Sequence, residues 1–320
     1  MRRRCVMANL LAVAGSAPVG RVAAQDRTLL RVVVPYAAGG VSDVMARLLA
    51  ESVRRHLGRT VIVDNRPGAA ALIATRYVQL APPDGDTLLF QNVGFVTLPM
   101  LSTAASYDPV TDFAAVAMTG IGAVFLMVTE SIPARNTAEF IAYARDHPGL
   151  ECANSGVNSI GHMAALLLEK RAEIQLIHVP YKGSAETTRA LLSGEARMQV
   201  SVTTEALNPH IASGKIRVLG VGTRNRSRLA PQVPPIGDTV PGYAIDGWYG
   251  MLAPAHTPLD RREAISAAMA RALAEPAIRE RFAALYVEAR HSGPTAFAAT
   301  IAESRTSFQS IVRDLQLTPS

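Results

Sequence analysis

The chain has 320 residues, of which 49% are hydrophobic, 5% aromatic and 18% charged, with a formal charge of +6. That balance excludes the disordered and low-complexity classes, and the length accommodates two domains of roughly 150 residues. No apolar stretch approaches the ~20 residues that a membrane-spanning helix needs.

The first 24 residues read as an export leader: Arg2–Arg4, a modest apolar stretch from Val6 to about Ala14, then the small residues VAA before Gln25. Cleavage near Ala24 removes four arginines and no acid, taking the formal charge from +6 to +2. The basic balance is then mostly a property of the leader, and it is weak support for nucleic-acid binding. Cleavage also leaves Cys152 as the sole cysteine, so the exported chain has no internal disulfide and relies on its core.

After the leader, short apolar runs alternate with helical periodicity. RVVV (31–34) reads as a buried strand, PYAAGG as a loop, and Val41 to Leu57 as a helix closed by Gly58. TVIV (60–63) is a second strand and DNRPG a turn. Ala69–Leu80 is a helix, APPDGD a turn and TLLF (87–90) a third strand. Such alternation with short loops predicts parallel pairing through right-handed crossovers.

A second series begins at VFLMV (124–128). Asn136 and Glu139 form a capping-box-like start to a helix through TAEFIAYAR. LECAN (150–154), IQLIHV (174–179), RMQVSV (197–202) and IRVLGV (216–221) are strands. They are separated by helices over 159–172, 185–193 and 204–213. Residues 224–247, rich in proline, glycine and arginine, read as an irregular return leading into GWYGMLAP. The remainder is helical. The expected fold is therefore α/β, in two lobes with a cleft between them. Ligands of open parallel sheets sit beyond the carboxyl ends of the strands, where PYAAGG and NSGVNSIGH (154–162) fall.

Glycine-rich turns that open helices present backbone N–H groups and partial positive charge, a pattern suited to a small anion. A double glycine also serves a turn alone. PYAAGGVSD is neither G-x-G-x-x-G nor a phosphate loop, which argues against nucleotide binding. GVNSIG (156–161) misplaces its serine for a nucleophile elbow, leaving a serine hydrolase built on Ser159 as the weaker alternative. His162, His178, His210 and Cys152 have no metal-ligand spacing, so neither a metal nor any other cofactor is expected.

Several stretches taken together resemble the extracytoplasmic solute receptors of the tripartite tricarboxylate transporter family, the Bug proteins. They include PYAAGGVSDVMARLLA, VIVDNRPGAA, LAPPDGDTLLF, NSGVNSIGHMAA, HVPYKGSAETTRALLSGE and WYGMLAPAHTP, in order from about residue 30 to 260. The resemblance implies a two-lobed periplasmic binding protein of type II architecture. Lobe I would comprise 25–121 and 246–320, and lobe II 122–245. It implies a periplasmic monomer that catalyses nothing, captures a small organic acid and delivers it to membrane permease subunits. A receptor presenting its ligand to a sensor protein would have the same fold.

Carried onto this chain, the implied ligand contacts are Tyr36, Ala37, Ala38, Gly39, Gly40 and Asp43 from the first loop, and Gln91 and Asn92 after the third strand. From the second lobe come Ser155, Gly156, Asn158, Ser159, His162, Tyr181 and Lys182, with Thr203 and Thr204 beyond the RMQVSV strand. Asp43 is also placed to cap its helix, since its charge opposes an anionic ligand. Many relatives have aspartate where this chain has Val202. Without that acid, an amino acid's ammonium lacks a partner, which points to a dicarboxylate, hydroxy acid or aromatic acid.

Overall fold

The computed structural model describes residues 29–157, 159–314, 316 and 317. The expected leader and Asn158 lie outside the described residues. The first lobe opens with β1 (Leu29–Val34), α1 (Val41–Leu57), β2 (Thr60–Asn65), α2 (Leu72–Gln79), β3 (Thr87–Asn92), α3 (Gly94–Leu101) and β4 (Phe113–Ala123). Then follow β5 (Phe125–Thr129), α4 (Thr137–Asp146), β6 (Leu150–Asn154), α5 (Ile160–Ala172), β7 (Leu176–Pro180), α6 (Ser184–Ser193), β8 (Met198–Ser201), α7 (Asn208–Ala212) and β9 (Ile216–Val221). The chain ends with β10 (Asp246–Pro254), α8 (Leu259–Ala274), α9 (Pro276–Ala284), β11 (Val287–Ser292) and α10 (Pro294–Asp314).

The strands form two sheets, ordered β11-β4-β10-β3-β1-β2 and β7-β6-β8-β5-β9. β1 pairs in parallel with β2 and β3, and β6 with β7 and β8, as the alternation of strands and helices predicts. Antiparallel strands adjoin each parallel set, with β10 against β3 and β5 against β8. This is the two-lobed α/β architecture of a type II periplasmic binding protein, with a cleft between the lobes.

Val124 alone separates β4 of the first sheet from β5 of the second. The chain returns through residues 222–245, and the two crossing segments are tied together. The Gly222 amide donates to the Val124 carbonyl at 2.8 Å, and the Ile245 amide to the Gly222 carbonyl at 2.8 Å. In the first lobe α10 closes over the sheet: Phe297 meets Trp248 edge-on at 5.0 Å, and Trp248 Nε1 donates to Ser304 Oγ at 3.0 Å.

Three elements lack a clear local signal. β4, FAAVAMTGIGA, is largely alanine and glycine, poor strand formers without alternation, and pairing with β10 and β11 on either side makes it a strand. α3 is apolar apart from Thr97, with Pro99 inside it, and β11 carries Glu288, Arg290 and His291 as an edge strand would. Two expected helices are shorter than their periodicity suggests. Residues 69–71 form a separate 3₁₀ turn before α2. Residues 205–207 form another, ahead of an α7 that has proline in its first turn.

Candidate ligand-binding site

The loops after β1, β2, β6 and β7, with Gly94 at the start of α3, enclose an interlobe cavity of about 450 Å³. Of the residues expected from sequence, Tyr36, Ser155, Gly156, Ser159, Tyr181 and Lys182 line it. Lys182 is the sole charged lining side chain among the described residues, and no carboxylate lines the cavity with it. A cavity with one cation and no acid favours an anion.

The two glycines of PYAAGG answer two different needs. Gly39 has φ +83°, a left-handed conformation that costs little without a Cβ. Gly40 admits the opposite lobe: a Cβ there would stand 3.0 Å from Ser184 Oγ. Ser184 opens α6 and accepts the Val41 amide at 3.0 Å. The first turn of α1 therefore meets the first turn of α6 directly across the cleft. Ala37 takes part in the same meeting, since a Cβ on Gly183 would lie 3.8 Å from its amide nitrogen.

Many of the amides in these loops are already bonded within the protein. Gly39 donates to Asp43 Oδ2 at 2.9 Å, Gly156 to Asn154 Oδ1 at 3.3 Å and Lys182 to Glu186 Oε2 at 3.0 Å. Asp43 is buried, and it also receives Arg47 Nε at 3.0 Å and Asn65 Nδ2 at 2.9 Å. Burial pushes its pKa up, but Arg47, the Gly39 amide and Asn65 together hold it below the ordinary carboxylate value. Its structural work is to brace the loop and the start of α1.

Gln91 and Asn92 stand behind the cavity wall and fix Tyr36. The Tyr36 hydroxyl donates to Gln91 Oε1 at 3.3 Å and accepts from Asn92 Nδ2 at 3.0 Å. Burial pushes this phenol up to about 12, against the opposing effect of Asn92, so it stays protonated at neutral pH. Ser159 is the N-cap of α5, its Oγ accepting the His162 amide at 3.2 Å. The His162 ring stands edge-on to His178 at 5.0 Å, and His178 bonds Glu169 at 2.9 Å. Thr204 is buried against Thr188 at 2.9 Å. Thr203 lines a different cavity, described below. Val202 faces the first lobe, with Cγ1 3.4 Å from where a Cβ on Gly122 would stand. Cys152 is fully buried, and burial pushes its thiol up to about 12.

One wall of the cavity lies outside the residues expected from sequence. Pro67 to Ala71 line it, and Ala69, Ala70 and Ala71 all have positive φ, at 45°, 52° and 81°. Three successive non-glycine residues in the left-handed region are costly and are held by their surroundings. The available signal was the proline-glycine pair directly after β2, at the carboxyl edge of a parallel sheet.

A family model described as the tripartite tricarboxylate transporter family receptor matches residues 45–317. The chain belongs to this family. A Pseudomonas sp. (strain P51) relative, the UPF0065 protein in the tcbD-tcbE intergenic region, is 30% identical over 89% of this chain and 85% of its own length. Protein BugT of Bordetella pertussis is 29% identical over 88% of each chain. Among solved structures, the periplasmic binding protein BugD superposes with a TM-score of 0.84 at 28% identity, covering 91% of this chain and 98% of its own. An R. palustris protein solved with adipate gives 0.85 at 28% identity, with the same coverage. MatC from Rhodopseudomonas palustris, with bound malate, gives 0.82 at 27% identity, covering 89% and 98%. The family is one of substrate-binding receptors and not of enzymes, and its members are periplasmic binding proteins.

Proposed function

We propose that this receptor is exported by its 24-residue leader, works as a periplasmic monomer, and captures a small carboxylated metabolite for the permease subunits of a tripartite transporter. The observation that carries the substrate class is the lining of the interlobe cavity: Lys182, the hydroxyls of Ser155 and Ser159, and no acid. The mobile units are 25–121 with 246–320, and 122–245, moving about the tied crossing segments at Val124 and Gly222. Adipate and malate, held by the two R. palustris relatives, are of this chemical class. Val202 in place of an acid supports a dicarboxylate, hydroxy acid or aromatic acid over an amino acid.

In this reading Tyr36, kept protonated by burial and held in place by Gln91 and Asn92, walls the ligand. Lys182 supplies the counter-charge, and Ser155, Gly156 and Ser159 contact a carboxylate. Ala37 to Gly40, with Ser184, form the seam along which the lobes close. Asp43 and His162 support these loops without touching the ligand. The hydrolase alternative has little support in the geometry, since Ser159 Oγ is engaged as a helix cap by the His162 amide.

The test is a calorimetric screen of C4–C6 dicarboxylates, hydroxy acids, aromatic acids and amino acids. One of the acids is expected to bind saturably and to be recovered unchanged. Losing a charge-assisted contact in Lys182→Met is expected to weaken that binding about tenfold or more. Equal affinity in Lys182→Met and Ser155→Ala proteins would remove both residues from the site. Binding of an amino acid alone would overturn the substrate class.

A further inference from the structure

A second cavity, of about 260 Å³, lies outside the interlobe cleft, walled mostly by lobe II and completed by Tyr286 of lobe I. It arises where the return segment parts from β9. The two run side by side at Val221, whose amide donates to the Pro234 carbonyl at 2.9 Å. On the N-terminal side of that bridge Ile216 and Val218 form one wall, and Ala230 and Val233 of the return segment form another. Phe125, one residue beyond the crossing at Val124, closes the inner end. The remaining wall comes from lobe I. Tyr286, between α9 and β11, holds a left-handed φ of 52° and sets its ring edge-on to Phe125 at 5.2 Å. Asn208 Nδ2, donating to the Ala284 carbonyl at 3.0 Å, and Arg281, paired with Glu205 at 3.1 Å, fasten the lobes beside it.

The charged residues on this lining are Arg135, at the solvent edge, and Arg217; no acid is among them. Arg217 Nη2 donates to the carbonyls of Glu130, at 3.3 Å, and Ile132. Its Nε–H is buried with no acceptor among the described residues. Arg217 has carbonyl partners but no carboxylate partner among the described residues, so a carboxylate entering the cavity meets a cation that no acid neutralises. An apolar cavity of about 150 Å³ suffices for benzene, so this one has room for a ring and its carboxylate.

We propose that this cavity is a second binding site, taking a small aromatic monocarboxylate whose ring packs among Phe125, Val218, Val233 and Tyr286 and whose carboxylate meets Arg217. Because Tyr286 belongs to one lobe and Phe125 to the other, an occupant contacts both halves beside the crossing segments. Occupancy there bears on how the lobes close, and it stands whether or not the cleft takes the acid proposed above.

The probe is 4-fluorobenzoate, followed by fluorine NMR and calorimetry on the purified protein. Saturable binding is expected to persist in Lys182→Met and Ser155→Ala proteins. It is expected to weaken about tenfold or more in Arg217→Met, where a charge-assisted bond is lost, and to vanish in Ala230→Leu, which fills the space. In the unmodified protein, a nuclear Overhauser contact between the probe ring and a labelled Val218 or Ile216 methyl is expected, which covers failure of either variant to fold. No saturable binding at millimolar probe, loss of all binding in the cleft variants alone, or no contact to either methyl at saturation would each overturn the assignment. Hexanoate binding there in place of the aromatic acid would overturn the aromatic class.

Discussion

His162 is a half-buried imidazole that is neutral at pH 7. Burial, reinforced by His178 and opposed by Glu169, pushes it down to about 4 from an ordinary 6.5. The unfolded chain therefore takes up this proton at a higher pH than the folded chain. The stabilisation is complete above about 6.5 and is lost as pH falls through about 4, a change of about 3 kcal/mol. His162→Gln is expected to flatten urea-unfolding stability between those values; an unchanged slope would show that His162 does not carry it. Asp43 and Glu169 are held below the usual carboxylate range despite their burial, by Arg47 with its neighbours and by His178 with the Leu176 amide. Their contributions are lost only at lower pH. The left-handed alanines make a second residue-level test. Left-handed backbone costs an alanine about 1–2 kcal/mol, which exceeds the entropy penalty of glycine. Ala70→Gly is expected to be neutral or stabilising by up to about 1 kcal/mol, whereas Ala74→Gly inside α2 should destabilise by a similar amount. Equal losses in both would show that the turn carries no strain.

Among elements, β10 bears the most on the first lobe's architecture. It lies between β3 and β4, and α10 rests on it through Phe297. A Cβ at Gly250 would stand 2.3 Å from Phe297 Cζ and 2.9 Å from the Ala117 carbonyl oxygen. Gly250→Ala is thus expected to lift α10 from the sheet and cost about 1–3 kcal/mol as an overpacked site. Chemical denaturation measures the loss, and faster hydrogen exchange in residues 294–314 should accompany it. Full stability would mean that α10 yields without penalty. α2 has a different role. Its body packs into lobe I, and the strained 3₁₀ turn that precedes it, residues 69–71, lines the interlobe cavity.

For the molecule as a whole, the seam between Val41 and Ser184 ties the first turns of α1 and α6. One such hydrogen bond contributes about 1 kcal/mol, enough to shift an equilibrium between open and closed lobes several-fold. Ser184→Ala is expected to enlarge the unliganded radius of gyration in small-angle scattering, and saturating ligand should restore the smaller value. Identical scattering curves for both proteins would show that this contact does not hold the lobes together. Trp248, buried on β10 just beyond the return crossing, offers a fluorescence readout of the same motion.

The order of residues alone determined much that is local. Apolar runs bounded by glycine and proline marked the parallel strands, and the Asn136–Glu139 pair marked a helix start that the structure shows as a reciprocal cap. PYAAGG and NSGVNSIGH stood out as facing loops because parallel strands send their carboxyl-end loops to one edge. Only the tertiary structure decided the rest. β4 exists because its neighbours supply the pairing that its alanines and glycines do not announce. Local spacing could not show that Gly39, Gly156 and Lys182 amides are bonded within the protein, that Tyr36 is held from behind, or that Thr203 faces the second cavity. Periodicity and capping are encoded within a few residues, whereas strand partners, spent hydrogen bonds and cavity walls join residues far apart in the chain.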